Sequence, residues 1–427
     1  MDYKNLKLTM SMKKYYLLFL NLALPILLSA QVNPNCDGER YLTEVFPDEP
    51  VMTTVKFGEN YTLAQNFQEL YMDIFEPAGD EADNRPVLLF AFGGSFIGGD
   101  RTQTHGVCKA YAKLGFVTAA IDYRLYDFAF PPQGPFPDSL LMMEEVVMAV
   151  GDYKAAIRYL RKDAATDNMF RIDPNFIFTG GYSAGSIVSL HAAYLDEGEA
   201  PEYVEEFIEN NGGLEGNTDD PDNSSLGYSS DIQGVVNFFG ALHREEYMDA
   251  DDPPLISIHG DLDDVVPYGT GMAVVVVLPI VEIDGSSVLH ARADALGITN
   301  ELITVPGGGH GGFSQMFTDS MDVRTRIFLS DILCNGTTSS QENLIARSAT
   351  AFPNPATDQV LLQFDQQPSD YTVSVTNMIG QQVFFARNQH QKEFVLNRDQ
   401  TGKGLFLLHI EFEDKRFQPI SKKIIFN

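Results

Sequence analysis

Gly181-Tyr182-Ser183-Ala184-Gly185 follows directly on the short apolar run NFIFTG (175–180) and precedes SIVSLHAAYL, whose apolar residues recur at helical spacing. Read as strand, sharp turn and helix, this order forces the Ser183 backbone into an uncommon conformation and lifts its hydroxyl clear of the strand. The flanking glycines let strand and helix approach each other. A serine presented in this way suits nucleophilic attack on a carbonyl carbon, provided that a base takes its proton and an acidic group orients the base.

The base is expected late in the chain, after the acid. ELITVP (301–306) leads into Gly307-Gly308-Gly309-His310-Gly311-Gly312-Phe313, a loop tip flexible enough to carry His310 back to Ser183. His259 reads as structural, shaping the turn of the acid, and His105, His191, His243 and His290 have no placement argument. HGDLDDVVPY (259–268) follows the apolar run LISIHG and offers Asp261, Asp263 and Asp264. Asp263 is preferred, although spacing alone does not separate it from its two neighbours, each of which also suits a turn or a helix cap. Attack on a carbonyl further needs backbone N–H groups facing the developing oxyanion. Ala184, next to the nucleophile, supplies one; the glycine-rich loop Phe92–Gly99 (FGGSFIGG) after VLLFAF is the source of the rest. That loop lacks the GK[ST] ending and the dinucleotide fingerprint that would turn it toward phosphate.

Elements that could position these groups are legible on either side. VLLFAF (87–92), FVTAAI (116–121), NFIFTG, VVNFFG (235–240), LISIHG (255–260) and ELITVP are short runs suited to strands buried on both faces. Stretches with helical spacing, 105–114, 139–162, 184–195, 286–296 and 314–333, lie between or after them. This alternation predicts a mostly parallel central sheet with helices on both faces. TVKFG (54–58) and LYMDIFEP (70–77) suit an antiparallel hairpin at its edge, and MAVVVVLPIV (272–281) reads as a buried segment. Residues 349–427 hold five strand-like runs separated by turns, the pattern of a small C-terminal β-sandwich, and the polar stretch 335–348 reads as a linker.

The chain of 427 residues carries 29 Lys+Arg against 59 Asp+Glu, a formal charge of −30, which argues against nucleic acid as a partner. Acidic and basic residues cancel in 349–427, so the excess sits in 31–348. Lys4, Lys7, Lys13 and Lys14 precede the uncharged run Tyr15–Ala30, the order of a signal peptide over residues 1–30; the run is too short and broken for a stable membrane span. Cys36, Cys108 and Cys334 suggest one disulfide and one free thiol, with all three pairings open. No cofactor or metal site is expected. Residues 196–231 contain twelve acidic residues and no Lys or Arg. A calcium site there fails the spacing of a helix-loop-helix calcium loop, which leaves a solvated acidic loop as the reading.

DIFEP, GGSFIGGD, AAIDYRL, GYSAG, HGDLDDVVPY and GGGH occur in order across residues 40–333, and this stretch resembles a carboxylesterase of the α/β-hydrolase superfamily with an HGGG-type oxyanion loop. The resemblance implies an α/β-hydrolase fold over 31–334 and hydrolysis of carboxylic esters by Ser183, Asp263 and His310. Gly94, Ser95 and Ala184 would be the oxyanion donors, with Phe92 where the motif has His and Ser95 where it has its last Gly. Tyr123-Arg124 matches a pair that supports this loop. The resemblance also implies that the acidic insertion 196–231 forms a lid or rim over the acyl pocket, disfavouring anionic substrates. Phe96, Phe130, Phe136 and Tyr182 are candidate pocket residues. Acetyl or feruloyl esters of polysaccharides and polyesters are alternative substrates; a peptidase or a non-catalytic binding module are the rival readings. FPNPA, VTNMIGQQV and GLFLLHIEF resemble the C-terminal sorting domain of the type IX secretion system. That implies a partner in the secretion machinery and a protein released or displayed outside a Gram-negative bacterium, via the periplasm.

Overall fold

The computed structural model describes residues 32–127, 137–335, 349–364, 370–377, 382–412 and 420–426. Residues 1–30, expected as a signal peptide, Phe130, Phe136 and the expected linker beyond Asn335 lie outside these residues. Val51–Tyr61 (β1) and Phe67–Glu76 (β2) pair antiparallel, forming the edge hairpin that the sequence suggests. Arg85–Ala91 (β3), His105–Ala112 (α1), Val117–Ile121 (β4), Ser139–Ala165 (α2), Ile172–Tyr182 (β5), Ala184–Tyr194 (α3), Glu202–Asn210 (α4) and Val235–Phe238 (β6) follow. After them come Ala241–Leu242 (β7), Leu255–Gly260 (β8), Thr270–Val275 (β9), Leu278–Gly285 (β10), Ser286–Leu296 (α5), Asn300–Val305 (β11) and Gln315–Asn335 (α6). The main sheet has the order β1-β2-β4-β3-β5-β6-β8-β11, with β2 antiparallel to β4 and every pairing from β4 to β11 parallel.

Burial explains why the central strands read as unbroken apolar runs. Every residue of β3, β4 and β8 is buried, because helices cover both faces of the sheet. One face packs on α2 and α3 through Val87, Leu89, Val117, Ile177, Tyr153 and Val188. The other packs on α1 and α6 through Leu88, Phe90, Phe178, Ile256, Leu329 and Leu333. The α2 helix starts where the Asp138 carboxylate accepts a hydrogen bond from the Leu141 N–H, at 3.0 Å. Cys36 and Cys334 form a disulfide that ties the start of the domain to the end of α6. Cys108 is free and buried, its thiol pushed up to about 12 by burial, so it is unreactive at neutral pH.

Two segments depart from expectation. The acidic segment 196–231, expected as a lid or rim over the acyl pocket, runs along α2, whose Lys154, Arg158, Arg161 and Lys162 recur at helical spacing as a basic stripe. Arg158 meets the Glu215 carboxylate at 2.7 Å and donates to the Thr218 carbonyl at 3.1 Å, and Arg161 donates to the carbonyls of Ser229 and Asp231. Thr218 enters a buried cluster in which Arg124 pairs with Asp152 at 2.8 Å, and Gly216 lies against Gly151 with no room for a Cβ. Opposite charge on α2, legible only in three dimensions, determines this course. The second departure is 272–281, which is not buried: β9 and β10 form a hairpin with Val276 and Val277 at its tip, 62% and 76% exposed. The hairpin extends through β7 into a three-stranded sheet of its own.

Toward the C-terminus, Ala349–Phe352 (β12), Gln359–Phe364 (β13), Tyr371–Asn377 (β14), Gln382–Gln389 (β15), Glu393–Asn397 (β16), Arg398–Thr401 (α7), Gly404–Phe412 (β17) and Ile420–Phe426 (β18) complete the chain. The strands make two antiparallel sheets, β12-β13-β16 and β15-β14-β17-β18. Alternate residues Val360, Leu362, Phe364, Val373, Val375, Leu408 and Ile410 meet in one core between them, the arrangement of a β-sandwich.

Candidate active site

Ser183 sits between β5 and α3 with φ 53° and ψ −118°. A non-glycine residue in this region carries strain, which the surroundings must hold in place. They do so by close packing. A Cβ on Gly181 would lie 2.3 Å from the Gly185 carbonyl carbon, and one on Gly185 would lie 2.3 Å from the Ala91 oxygen. The Ser183 N–H donates to the Phe238 carbonyl at 3.0 Å, fastening the turn to β6.

His310 is carried back to this turn from beyond β11. Its Nε2 lies 2.8 Å from Ser183 Oγ and its Nδ1 lies 2.7 Å from Asp263 Oδ2. A carboxylate accepts only, so Nδ1 carries the proton and Nε2 is the acceptor facing the serine hydroxyl. The close seating of the acid and base loops depends on glycine, since a Cβ on Gly260 would meet the Gly308 oxygen at 2.3 Å. Phe239 presents its ring edge-on to His310, with the centroids 4.9 Å apart.

Of the three aspartates in the acid loop, only Asp263 reaches the imidazole. Its side chain is fully buried, and Oδ1 accepts the N–H groups of Val265 and Val266 at 2.9 and 3.0 Å. Burial pushes this carboxyl up, but hydrogen bonds from His259, from His310 and from the Val265 N–H outweigh it and hold the group well below the usual carboxylate range. His259 takes the structural part expected of it. Its Nε2 lies 3.0 Å from the Val266 carbonyl and 3.2 Å from Asp263 Oδ2, and its Nδ1 lies 2.8 Å from Ser286 Oγ. Asp261 accepts the Gly307 N–H instead, at 2.6 Å, and Asp264 is exposed.

The loop after β3 approaches Ser183 closely: a Cβ on Gly93 would lie 3.3 Å from the Ser183 Cβ. Gly94, Ser95 and Phe96 all have positive φ, at 139°, 55° and 62°, a run of unusual conformations that curls the loop. Among the described residues no protein acceptor takes the N–H of Gly94, Ser95 or Ala184. Phe92 stacks on Tyr123 with centroids 4.3 Å apart, and the Tyr123 hydroxyl donates to the Phe92 carbonyl at 2.8 Å. Gly99 packs against the same Phe92 ring. A buried aromatic pair thus anchors the loop where the motif would carry His. The Arg101 guanidinium holds its far end, bonding Asp73 and Asp122 at 2.8 Å each.

A cavity of about 50 Å³ opens beside Ser183. Ser95, Phe96 and Ala184 line it, α2 gives Met142, Met143 and Val146, and α3 gives Ile187 and His191. The hairpin supplies a further wall, from Ala273 to Ile283, and His243 also lines the cavity. No residue of 196–231 lines it. Of the pocket residues expected from the sequence, Phe96 is present, whereas Tyr182 packs against Phe238, with centroids 4.6 Å apart, and does not line the cavity. His191 and His243 were missed; the available signal was the spacing of Ala184, Ile187 and His191 on one face of α3.

Two family models match the chain. Residues 72–243 match BD-FAE, a family of α/β-hydrolase-type esterases, and residues 350–427 match the secretion system C-terminal sorting domain. No curated protein matches. Similar solved structures include esterase 2 of Thermogutta terrifontis phosphorylated by paraoxon, at 22% identity and a TM-score of 0.45, covering 67% of this chain and 96% of that one. The same enzyme with butyrate bound matches at 22% identity and a TM-score of 0.45, covering 69% and 97%. Among the described residues no helix is long and apolar enough to cross a membrane. Residues 72–243 match an esterase family and residues 350–427 a secretion system sorting domain, the combination of an esterase exported to the surface or surroundings of a Gram-negative bacterium.

Proposed function

We propose that the protein hydrolyses carboxylic esters through an acyl-enzyme on Ser183. His310 Nε2 takes the hydroxyl proton as Oγ attacks the carbonyl carbon, and the N–H groups of Gly94, Ser95 and Ala184 stabilise the oxyanion. When the tetrahedral species collapses, His310 returns the proton to the departing alcohol. Water, deprotonated in turn by His310, then attacks the acyl-serine and frees the carboxylic acid. Asp263 fixes the imidazole tautomer and stabilises the imidazolium that forms. The observation that carries this reading is the continuous line Ser183–His310–Asp263, at 2.8 and 2.7 Å. In this reading residues 31–334 are the catalytic unit, 335–348 a linker and 349–427 an address without a part in the chemistry.

The cavity takes the acyl side of the ester. His310 does not line it, and the departing alcohol must sit within reach of His310. The eight helical steps from Ser183 to His191 extend roughly 12 Å. A space of about 50 Å³ holds about four water-sized positions. A space of that size suits a short acyl chain, of about four to six carbons. Incubation with paraoxon tests the nucleophile: a stoichiometric diethylphosphoryl adduct on the peptide containing Ser183, with parallel loss of esterase activity, is expected. Labelling elsewhere, or none, would sink the assignment.

A further inference from the structure

We propose that His243 is a specificity-determining residue of the acyl cavity, held by His191 beyond the α3 face that starts at Ser183 and reading a hydroxyl group carried on the acyl chain. This deepens the esterase reading above and rests on it. The cavity is walled almost throughout by Val, Ile, Met and Ala, so an imidazole among them needs a reason. His191 has one. Its Nδ1 lies 2.8 Å from the Ile187 carbonyl and must donate, which makes Nε2 the acceptor of the His243 N–H at 3.1 Å. Both ring nitrogens of His191 are therefore committed, and the bond to His243 fixes that residue at the end of the α3 face that starts at Ser183.

His243 is different. It is 5% exposed, and its Nδ1 lies 2.9 Å from the hydroxyl of Tyr247, a residue outside the cavity lining. Among the described residues its Nε2 has no hydrogen-bond partner. It is also not one of the fully buried unpartnered atoms, so it retains access to space, and His243 is one of the residues that line this cavity. Burial holds the His243 ring below its ordinary pKa, and His191 is down at about 4, so both are neutral at pH 7. A neutral imidazole does not call for a carboxylate. The Tyr247 hydroxyl can either donate to Nδ1 or accept from it, leaving Nε2 respectively a donor or an acceptor. A hydroxyl on the substrate satisfies both cases, whereas a carbonyl satisfies only one. A site built around an unpartnered polar atom discriminates strongly against an analogue that lacks the matching group.

The test compares methyl butanoate, pentanoate and hexanoate with their ω-hydroxy counterparts, following acid release by pH-stat with the full-length protein. We expect the hydroxylated ester to be preferred by about tenfold or more in kcat/KM at one chain length, and the preference to vanish in His243→Leu. His243→Gln, which keeps a hydrogen-bonding group, should restore part of it. The wild-type ratio does not depend on any variant folding. A ratio near one at every length, with both series turned over, overturns this inference and leaves the esterase reading intact. A preference that survives intact in His243→Leu likewise overturns it. Turnover of neither series removes the esterase reading and this inference with it.

Discussion

The acidic segment 196–231 and the apolar hairpin 270–285 are both additions between core elements, and their sequences suggest opposite fates from those they have. Twelve carboxylates without a cation look solvated and able to rim a pocket. MAVVVVLPIV looks like core. In the structure the acidic segment is pinned along the basic stripe of α2, and the apolar one stands out from the sheet to wall the cavity. Charge complementarity across 50–70 residues of sequence cannot be read along the chain, because the stripe on α2 appears only after the helix has formed. The hairpin was misread for a related reason. Its apolar residues serve a cavity wall and an exposed tip, neither of which differs from a core strand in local composition.

Breaking the anchor of the acidic segment should have the largest effect. Arg124→Met leaves the Asp152 carboxylate buried without its partner, while Thr218 loses a bond to the guanidinium. A loss of about 3–5 kcal/mol is expected in urea unfolding; a loss below about 1 kcal/mol would mean that the segment is not held by this cluster. Next comes α2 itself, which serves both regions. Glu145 is fully buried on it, neither oxygen has a partner among the described residues, and burial holds its carboxyl well above the ordinary range. The folded state thus keeps a proton that the unfolded chain releases near pH ~4.3, so stability falls as pH rises above that value. Glu145→Met should raise the midpoint of thermal unfolding at pH 7 by the equivalent of about 1–3 kcal/mol and lose this advantage toward pH 4. An advantage constant with pH would contradict the buried-carboxyl account.

Filling the hairpin side sharpens the comparison in the other direction. Ala273→Phe should block the cavity, lowering kcat/KM for hexanoate about tenfold or more relative to acetate with little change in stability, a pattern no change in the acidic segment should reproduce. The smallest effect is expected at Glu215→Gln. This residue is half exposed, and its pairs with Arg158 and Lys154 are partly screened. About 0.5 kcal/mol should be lost, shrinking further in molar salt. A salt-independent loss would point to the backbone contacts instead.

The sheet was legible because strands buried on both faces leave continuous apolar runs, as at 87–92 and 255–260, and α5 because its helical spacing is regular. The turn at Ser183 and the loop that carries His310 to it were legible because the glycines around them have a steric reason. Asp263 needed the motif, since what sets it apart from Asp261 and Asp264 is the pair of N–H groups and the two imidazoles around it. The cavity was illegible except for Phe96, because its walls come from two helices, a hairpin and a loop that meet only in the fold.

The most direct test of the central claim is hydrolysis of p-nitrophenyl butanoate by the wild-type protein and by Ser183→Ala, with matched circular dichroism spectra. The account predicts a loss of about a thousandfold or more in kcat in a variant that remains folded. A folded Ser183→Ala variant that turns over the ester at a rate near the wild type would contradict it.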